Sequence, residues 1–191
     1  MSKKVYLSGP DVFLPNAMEI IERKAKMCAD FGFEANLPQE AHVNSRCAAA
    51  PTDPAREIYE VWVGLMRTSD FGIFNLTPFR GASVDAGTAF ELGMMTGLGK
   101  PTFGYTNIAG AYIDRIAPRQ MLDPTTDAWT DQDDLKIENY GNADNLMIDE
   151  SIATGGAQLV RMATPLLDRY QALDAFRDCL KQAKDYFAAL P

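Results

Sequence analysis

Short apolar stretches alternate with amphipathic stretches along most of the chain. Runs rich in β-branched and aromatic residues, bounded by turn-forming positions, predict strands at residues 4–7, 33–37, 70–76, 101–106 and 158–162. Apolar positions that recur near helical spacing predict helices at residues 17–31, 56–67, 85–97 and 173–190. Strands that alternate with helices indicate a parallel sheet with helices on both faces.

The segments between these elements place the candidate chemistry. The loops 8–13 and 77–85 each follow a strand, so we expect both at the carboxyl edge of the sheet, where such sheets bind ligands. Residues 42–54 are rich in small residues and contain proline, which predicts a loop. Residues 107–141 form a long excursion with at most one short helix, and its role as a lid, an oligomer contact or both stays open.

Composition excludes several classes of function. The 191 residues predict one domain, 1–191, with a formal net charge of -8 and a pI of about 4.6. This charge argues against a surface for nucleic acid polymers and against binding to an anionic membrane. We find neither a secretory signal pattern nor an apolar run of about 20 residues, so we expect a cytoplasmic protein.

Cysteine and histidine usage gives no metal signal. The three cysteines are Cys28, Cys47 and Cys179, and they form no CxxC pair. We interpret them as reduced thiols. The single histidine, His42, is interpreted as a solvated or locally bonded side chain, and no zinc-like cluster can be built from one histidine and these cysteines.

Two carboxylates around the start of the third helix are the strongest candidates for chemistry. Asp85 precedes the helix, Glu91 lies within it, and no other acid occurs before Asp114. Asp85 suits either a helix N-cap or a catalytic role. Glu91 is either an exposed or ion-paired helix residue, or a carboxylate kept for reaction. Together they are a plausible nucleophile and acid for glycosyl chemistry.

The same helix carries a stripe of small residues beside Glu91. We expect this stripe to lie against the sheet and let the helix approach it closely, and we expect Phe90 to pack in the core. Gly87, one turn from Glu91, leaves space for a small ring. The stripe consists of Ala86, Ala89, Phe90, Gly93 and Gly97.

These motifs resemble those of the nucleoside 2-deoxyribosyltransferases. The resemblance extends in order over about positions 4 to 148, and its most specific piece reads Asp-Ala-Gly-Thr-Ala-Phe-Glu-Leu-Gly. The matching segments are 5–13, 69–76, 78–81, 85–93 and 145–147. The resemblance implies an α/β fold, doubly wound in the flavodoxin or Rossmann manner, with a mostly parallel five-stranded sheet. It also implies transfer of 2-deoxyribose between nucleobases with retention at the anomeric carbon.

The resemblance also assigns roles. Glu91 would be the nucleophile that forms a deoxyribosyl ester, and Asp85 would bind the base or handle its proton. Tyr6 would hydrogen-bond Glu91, and Phe13 would line the base pocket. Asn145 would reach the sugar 5′-hydroxyl from a neighbouring subunit, which implies a homo-oligomer with a shared site.

One position departs from the family pattern. Many members have Asp or Asn for base recognition where this chain has Trp62, so the base contact is altered or supplied from elsewhere, and the preference for purine or pyrimidine stays open. Further substrate contacts are expected from Gly9, Gly87 and Phe79. Arg80 suits either a base or phosphate contact or a loop salt bridge.

The expected substrates are 2′-deoxynucleosides and free nucleobases, with no cofactor and no metal. Two other functions remain open. The first is a hydrolase that cleaves deoxynucleoside 5′-monophosphates, which needs a phosphate site. The second is a non-catalytic α/β module that binds a nucleoside; the isolated pair Asp85 and Glu91 argues against it.

Overall fold

The computed structural model describes residues 2–38 and 54–190. His42, Cys47 and the predicted loop 42–54, apart from Pro54, lie outside this part of the chain. Eight strands form two sheets within it. They are β1 Lys3–Ser8, β2 Phe33–Ala35, β3 Phe71–Asn75, β4 Thr102–Thr106, β5 Arg119–Asp123, β6 Ala128–Asp131, β7 Lys136–Ile137 and β8 Val160–Arg161.

The main sheet confirms the predicted α/β architecture. Its five strands are all parallel and lie in the order β2-β1-β3-β4-β8. Every predicted strand is present, and β3 and β4 are buried along their whole length, which explains their continuous apolar character. The chain therefore winds outward in both directions from β1 and β3.

Five α-helices accompany the strands in the described residues: α1 Ala17–Asp30, α2 Pro54–Thr68, α3 Ala86–Gly97, α4 Leu146–Thr154 and α5 Asp174–Ala188. Helices α2, α3 and α4 pack side by side against one face of the sheet. On the other face α1 and α5 meet, where the Lys24 ammonium lies 5.5 Å from the ring centre of Phe176. None of the helices in the described ranges is long and apolar enough to cross a bilayer.

The excursion has more structure than expected. It contains a 3-10 helix at Tyr112–Arg115 and a three-stranded antiparallel sheet in the order β5-β6-β7. Helix α4 follows the excursion and was also not predicted. The prediction of at most one short helix was therefore incomplete for this region.

The orientation predicted for α3 was wrong. Its buried positions are Thr88, Glu91, Leu92 and Met95, whereas Ala86, Gly93 and Gly97 face outward. Phe90, expected in the core, is 52% exposed. The close approach of α3 to the sheet instead depends on Gly72 in β3. A Cβ at Gly72 would lie 2.9 Å from Met95 Sδ and closer still to the Phe74 ring.

Candidate active site at the carboxyl edge of the sheet

The candidate site lies where the strand order reverses. Strands β1 and β3 are neighbours, with Ser8 opposite Phe74, and their chains then continue to opposite sides of the sheet. This switch point is the usual ligand site of doubly wound sheets. The loops 8–13 and 77–85 meet here, as predicted, because they follow these two strands.

Glu91 is a buried carboxylate at this edge. It is only 6% exposed and lies on the face of α3 that packs toward the sheet. The Ser8 hydroxyl at the end of β1 donates a hydrogen bond to Glu91 Oε2. A carboxylate held at one oxygen by a charge-assisted hydrogen bond has a defined direction. The alternative of a solvent-exposed helix residue is thereby excluded for Glu91.

A cavity of about 390 Å³ opens beside Glu91 between α2 and α3. Trp62 and Gly87, both predicted at the site, lie in its wall together with Glu91. The remaining described lining residues are Ala55, Ile58, Tyr59, Val63, Met66 and Phe90. The sequence analysis did not assign the first five of these to the site, although their spacing along α2 places them on one helix face. Phe90 therefore contributes to the cavity and not to the core.

Asp85 is the N-cap of α3. Its Oδ2 accepts hydrogen bonds from the Thr88 backbone N–H at 3.0 Å and from the Thr88 hydroxyl at 3.2 Å. This is the standard way to satisfy an open amide at a helix start. The capping role is confirmed, and a role toward the nucleobase stays a prediction.

Tyr6 and Ser8 lie two residues apart on β1, so their side chains lie on the same face of the sheet. Tyr6 is buried, and its ring is tilted against that of Phe74 with 6.4 Å between ring centres. The hydrogen bond described at Glu91 comes from Ser8, which the sequence analysis did not name. A contact between Tyr6 and Glu91 stays a prediction.

Phe13, Phe79 and Arg80 form a second cluster at the same edge. The two phenyl rings stack with 5.1 Å between centres and 13° between planes. The exposed Arg80 guanidinium lies 4.6 Å from the ring centre of Phe79 and 5.4 Å from that of Phe13. These three side chains are not among the described residues that line the Glu91 cavity.

A buried ion pair supports the loop after β1 and was not predicted. Lys24 Nζ on α1 donates to Asp11 Oδ2 at 2.6 Å, and both side chains are 3% exposed. Asn75 Nδ2 at the end of β3 donates to Asp11 Oδ1 at 3.1 Å. A Cβ at Gly9 would lie 2.4 Å from Asn75 Cβ, so glycine is required there for packing. The available sequence signal was Lys24, a lysine at a position that the helical period places inside.

A second buried carboxylate, Asp144, holds the loop before α3. It accepts hydrogen bonds from the Ser83 hydroxyl and from Val84 N–H at 3.0 Å, and Arg115 lies 3.5 Å away. Arg115 also donates to the Ala82 carbonyl at 2.7 Å. Burial raises the pKa of Asp144 above its usual value, although its hydrogen-bond donors and Arg115 oppose the shift. The excursion thus fixes the segment that leads to Asp85.

Asn145 caps helix α4. Its Oδ1 accepts from Met147 N–H at 3.0 Å, and its Nδ2 donates to Glu138 Oε1 at 2.8 Å. These contacts are within one chain, and a role toward a neighbouring subunit stays a prediction. Across residues 2–38 and 54–190, no group of three or more His, Cys, Asp or Glu side chains is arranged to hold a metal ion.

Comparison with known proteins identifies the family to which this chain is similar. The sequence model of the family described as nucleoside 2-deoxyribosyltransferase matches residues 5–147. An uncharacterized protein of Schizosaccharomyces pombe is 32% identical over 164 residues, which cover 80% of this chain and 78% of that protein.

Solved structures of known proteins share the fold of this chain. A 2-desoxiribosyltransferase from Leishmania mexicana is similar with a TM-score of 0.59 and 26% identity, over 76% of this chain and 85% of that one. A conserved protein from Enterococcus faecalis V583 shares the fold with a TM-score of 0.53 and 20% identity, over 96% and 99% of the two chains. On the family match, together with the position of Glu91 at the switch point, the chain belongs to the nucleoside 2-deoxyribosyltransferase family.

Proposed function

We propose that this protein transfers 2-deoxyribose between nucleobases of 2′-deoxynucleosides by a retaining double displacement through a covalent deoxyribosyl-Glu91 intermediate. The observation that carries the proposal is the buried carboxylate of Glu91 in the wall of a cavity at the switch point of the sheet. Family membership supports the choice of a nucleoside as substrate. Purine and pyrimidine nucleosides are both candidates.

The first half-reaction breaks the glycosidic bond. As the C–N bond lengthens, positive charge develops at the anomeric carbon, and a Glu91 oxygen captures that carbon as an ester. The Ser8 hydroxyl bonds to Glu91 Oε2 and so directs the carboxylate. The departing base takes a proton, for which Asp85 is the candidate donor.

The second half-reaction is the reverse of the first with a different base. A ring nitrogen of the incoming base attacks the anomeric carbon, the ester bond breaks, and Glu91 leaves as a carboxylate. The proton of that ring nitrogen passes to Asp85, which restores the donor for the next cycle. Two inversions give net retention. Transfer prevails over hydrolysis when water is kept from the ester, and the apolar cavity wall serves that purpose.

The test is a base-exchange assay. The protein is incubated with thymidine and free adenine, and products are separated by chromatography. Formation of 2′-deoxyadenosine supports transfer, whereas free deoxyribose alone supports a hydrolase. Glu91→Ala should abolish exchange while leaving the fold intact, and exchange at the wild-type rate in this variant would overturn the assignment. Hydrolysis of thymidine 5′-monophosphate in preference to thymidine would favour the monophosphate-cleaving alternative.

The proposal extends to a shared site in a cytoplasmic homo-oligomer that salvages nucleosides. If Asn145 acts in the site of a neighbouring subunit, a mixture of Glu91→Ala and Asn145→Ala chains contains some sites with both groups intact. We expect refolded mixtures of the two inactive variants to regain part of the activity. Full activity of Asn145→Ala by itself would contradict the shared site.

A further inference from the structure

We infer that the cavity beside Glu91 receives the nucleobase and selects it by apolar surface and shape, with Trp62 as the specificity-determining residue. On the described residues of its wall, we expect hydrogen bonds to the base edge to play little part in this selection. The inference rests on the proposed function in one respect, since it takes a 2′-deoxynucleoside as the ligand. It goes beyond that function in stating which bases are preferred and why.

The chemistry of the wall is the first reason. Ala55, Ile58, Val63 and Met66 offer no polar side-chain group suited to reading a base. Among the described lining residues, the polar side-chain groups are those of Glu91, Tyr59 and Trp62. Glu91 is assigned to the sugar, an indole has one donor and no acceptor, and Tyr59 offers a single hydroxyl on a side chain that is 54% exposed. Reading a base edge typically requires a paired donor and acceptor, as in Asn or Gln.

The arrangement of the rings is the second reason. Trp62 is 7% exposed and lies inside, whereas Tyr59 and Phe90 are 54% and 52% exposed and lie at the mouth. The rings of Tyr59 and Phe90 are 6.3 Å apart between centres. Aromatic faces bind any planar base by stacking, with little regard to its edge. A base held among these rings keeps its polar edge near the open mouth and therefore near water.

The sugar is a poor fit to the same volume. Its hydroxyl groups would lose hydrogen bonds to water and find few partners along Ile58, Val63 and Met66. A polar group is instead available at the end of β1, where the Ser8 hydroxyl lies. Glu91 lies in the cavity wall and bonds to Ser8, so it marks the boundary between the two parts of the ligand.

This arrangement has a quantitative consequence for selectivity. A site built to hydrogen-bond a substrate group rejects the analogue without it by about 10⁴-fold or more, whereas an apolar pocket separates close analogues by only about 10- to 200-fold. We therefore expect 2′-deoxycytidine and 2′-deoxyuridine to bind within about tenfold of each other. Burial of the extra methyl group should make thymidine bind about three- to fourfold more tightly than 2′-deoxyuridine.

Intrinsic fluorescence tests the location directly, because the chain has only two tryptophans, Trp62 and Trp129. Trp129 lies on β6 with its indole N–H bonded to Asp127 and the Arg119 guanidinium near its ring, so it serves as the matched reporter away from the cavity. Both reporters carry Glu91→Gln to prevent turnover. Thymidine should quench the Trp129→Phe protein, in which Trp62 is the sole tryptophan. In the Trp62→Phe protein, thymidine should lower the fluorescence only by the amount that the absorbance of thymidine itself explains.

The same titrations measure selectivity, with thymidine, 2′-deoxyuridine and 2′-deoxycytidine as the probes. Quenching confined to the Trp62 reporter, with 2′-deoxycytidine and 2′-deoxyuridine within tenfold, supports the inference. Absence of quenching at Trp62, or a difference above 100-fold between those two nucleosides, overturns it. A Trp62→Asn variant adds an edge-reading amide and should change their ratio at least tenfold; an unchanged ratio in a folded variant also counts against the inference.

Failure of the inference and failure of the proposed function give different results. The binding titrations use inactive protein, so they do not depend on transfer. Exchange activity with strong edge discrimination would retain the function and overturn the inference. Binding at Trp62 without exchange in the Glu91-containing protein would retain the base site and overturn the transferase assignment.

Discussion

The Ser8 hydroxyl at the end of β1 donates to the Glu91 carboxylate on α3, across 83 positions of sequence. This bond joins β1, one of the two strands at the switch point of the sheet, to the helix that carries the proposed nucleophile. Both groups are buried, so the carboxylate is oriented by a fixed protein group and not by mobile water molecules. Orientation of an attacking group in this way lowers the entropic part of a reaction barrier.

Ser8→Ala should therefore reduce turnover without loss of the fold. A hydrogen bond to a charged group contributes about 1.5–3 kcal/mol, so we expect kcat/KM for base exchange to fall about 10- to 100-fold. The measurement is steady-state exchange with thymidine and adenine. The matched control is Ser69→Ala, which removes another buried serine hydroxyl, one that donates to the Leu65 carbonyl away from Glu91. Equal losses in the two variants would show that Ser8 has no special link to the reaction.

Gly9 and Gly93 should respond to alanine in opposite directions. A Cβ at Gly9 would lie 2.4 Å from Asn75 Cβ and 2.5 Å from Asp11 Oδ1, whereas no atom lies within 4 Å of one at Gly93. We expect Gly9→Ala to lower the free energy of unfolding by about 1–3 kcal/mol through overpacking. Gly93→Ala on the exposed side of α3 should raise it by about 0.5–1 kcal/mol. Urea denaturation measures both, and destabilisation by Gly93→Ala would restore the idea that this stripe packs on the sheet.

Sequence periodicity was sufficient for the main sheet because its strands are short apolar runs and its helices are amphipathic. It failed for β5, β6 and β7, whose apolar residues follow no regular alternation and in which Thr130 is the one buried position. It also failed for the orientation of α3, where Thr88 and Glu91 are buried and small residues face outward. The space that lets α3 pack closely on the sheet comes from Gly72 in β3, and not from the small residues of the helix.

For the site, the sequence indicated Glu91 and Asp85 because they are isolated acids in an apolar stretch. It did not indicate Ser8, Asp11 or Asp144, since their roles depend on partners that are 83, 13 and 61 positions away. Spacing rules describe neighbours on one helix or strand, and they carry no information about such distant pairs. Family resemblance supplied the remaining residues, whose roles toward a ligand await the experiments above.

The buried ion pair of Lys24 and Asp11 should be sensitive to the loss of one partner. Lys24→Met leaves the Asp11 carboxylate buried and without its ammonium, and such changes cost about 3–5 kcal/mol. We expect a loss of this size in urea denaturation. The double variant Lys24→Met with Asp11→Asn removes both charges and keeps an acceptor for Asn75, so it should recover much of the loss. If the loss in the double variant equals the sum of the losses in Lys24→Met and Asp11→Asn, the two side chains do not interact.

Asp144 should give the protein a distinct pH dependence. Burial raises its pKa above the usual value of 3.8, so the folded protein holds this proton more tightly than the unfolded chain. The stability from this group is complete below the unfolded pKa and is lost as the pH rises through the folded pKa. Asn has no such proton. The advantage of wild type over Asp144→Asn, measured by urea denaturation, should therefore be larger near pH 4 than near pH 7.

Asp133→Asn provides the control for this experiment, because it removes the same charge from an exposed position. Only the Asp144 variant should also shift the pH profile of base exchange, since Asp144 holds Ser83 and Val84 directly before Asp85. Protonation of Asp144 weakens its acceptance of the Val84 N–H bond, so wild-type kcat should decline on the acidic side more steeply than kcat of Asp144→Asn. A pH-independent stability difference together with parallel kcat profiles would show that Asp144 does not titrate in the folded protein over this range.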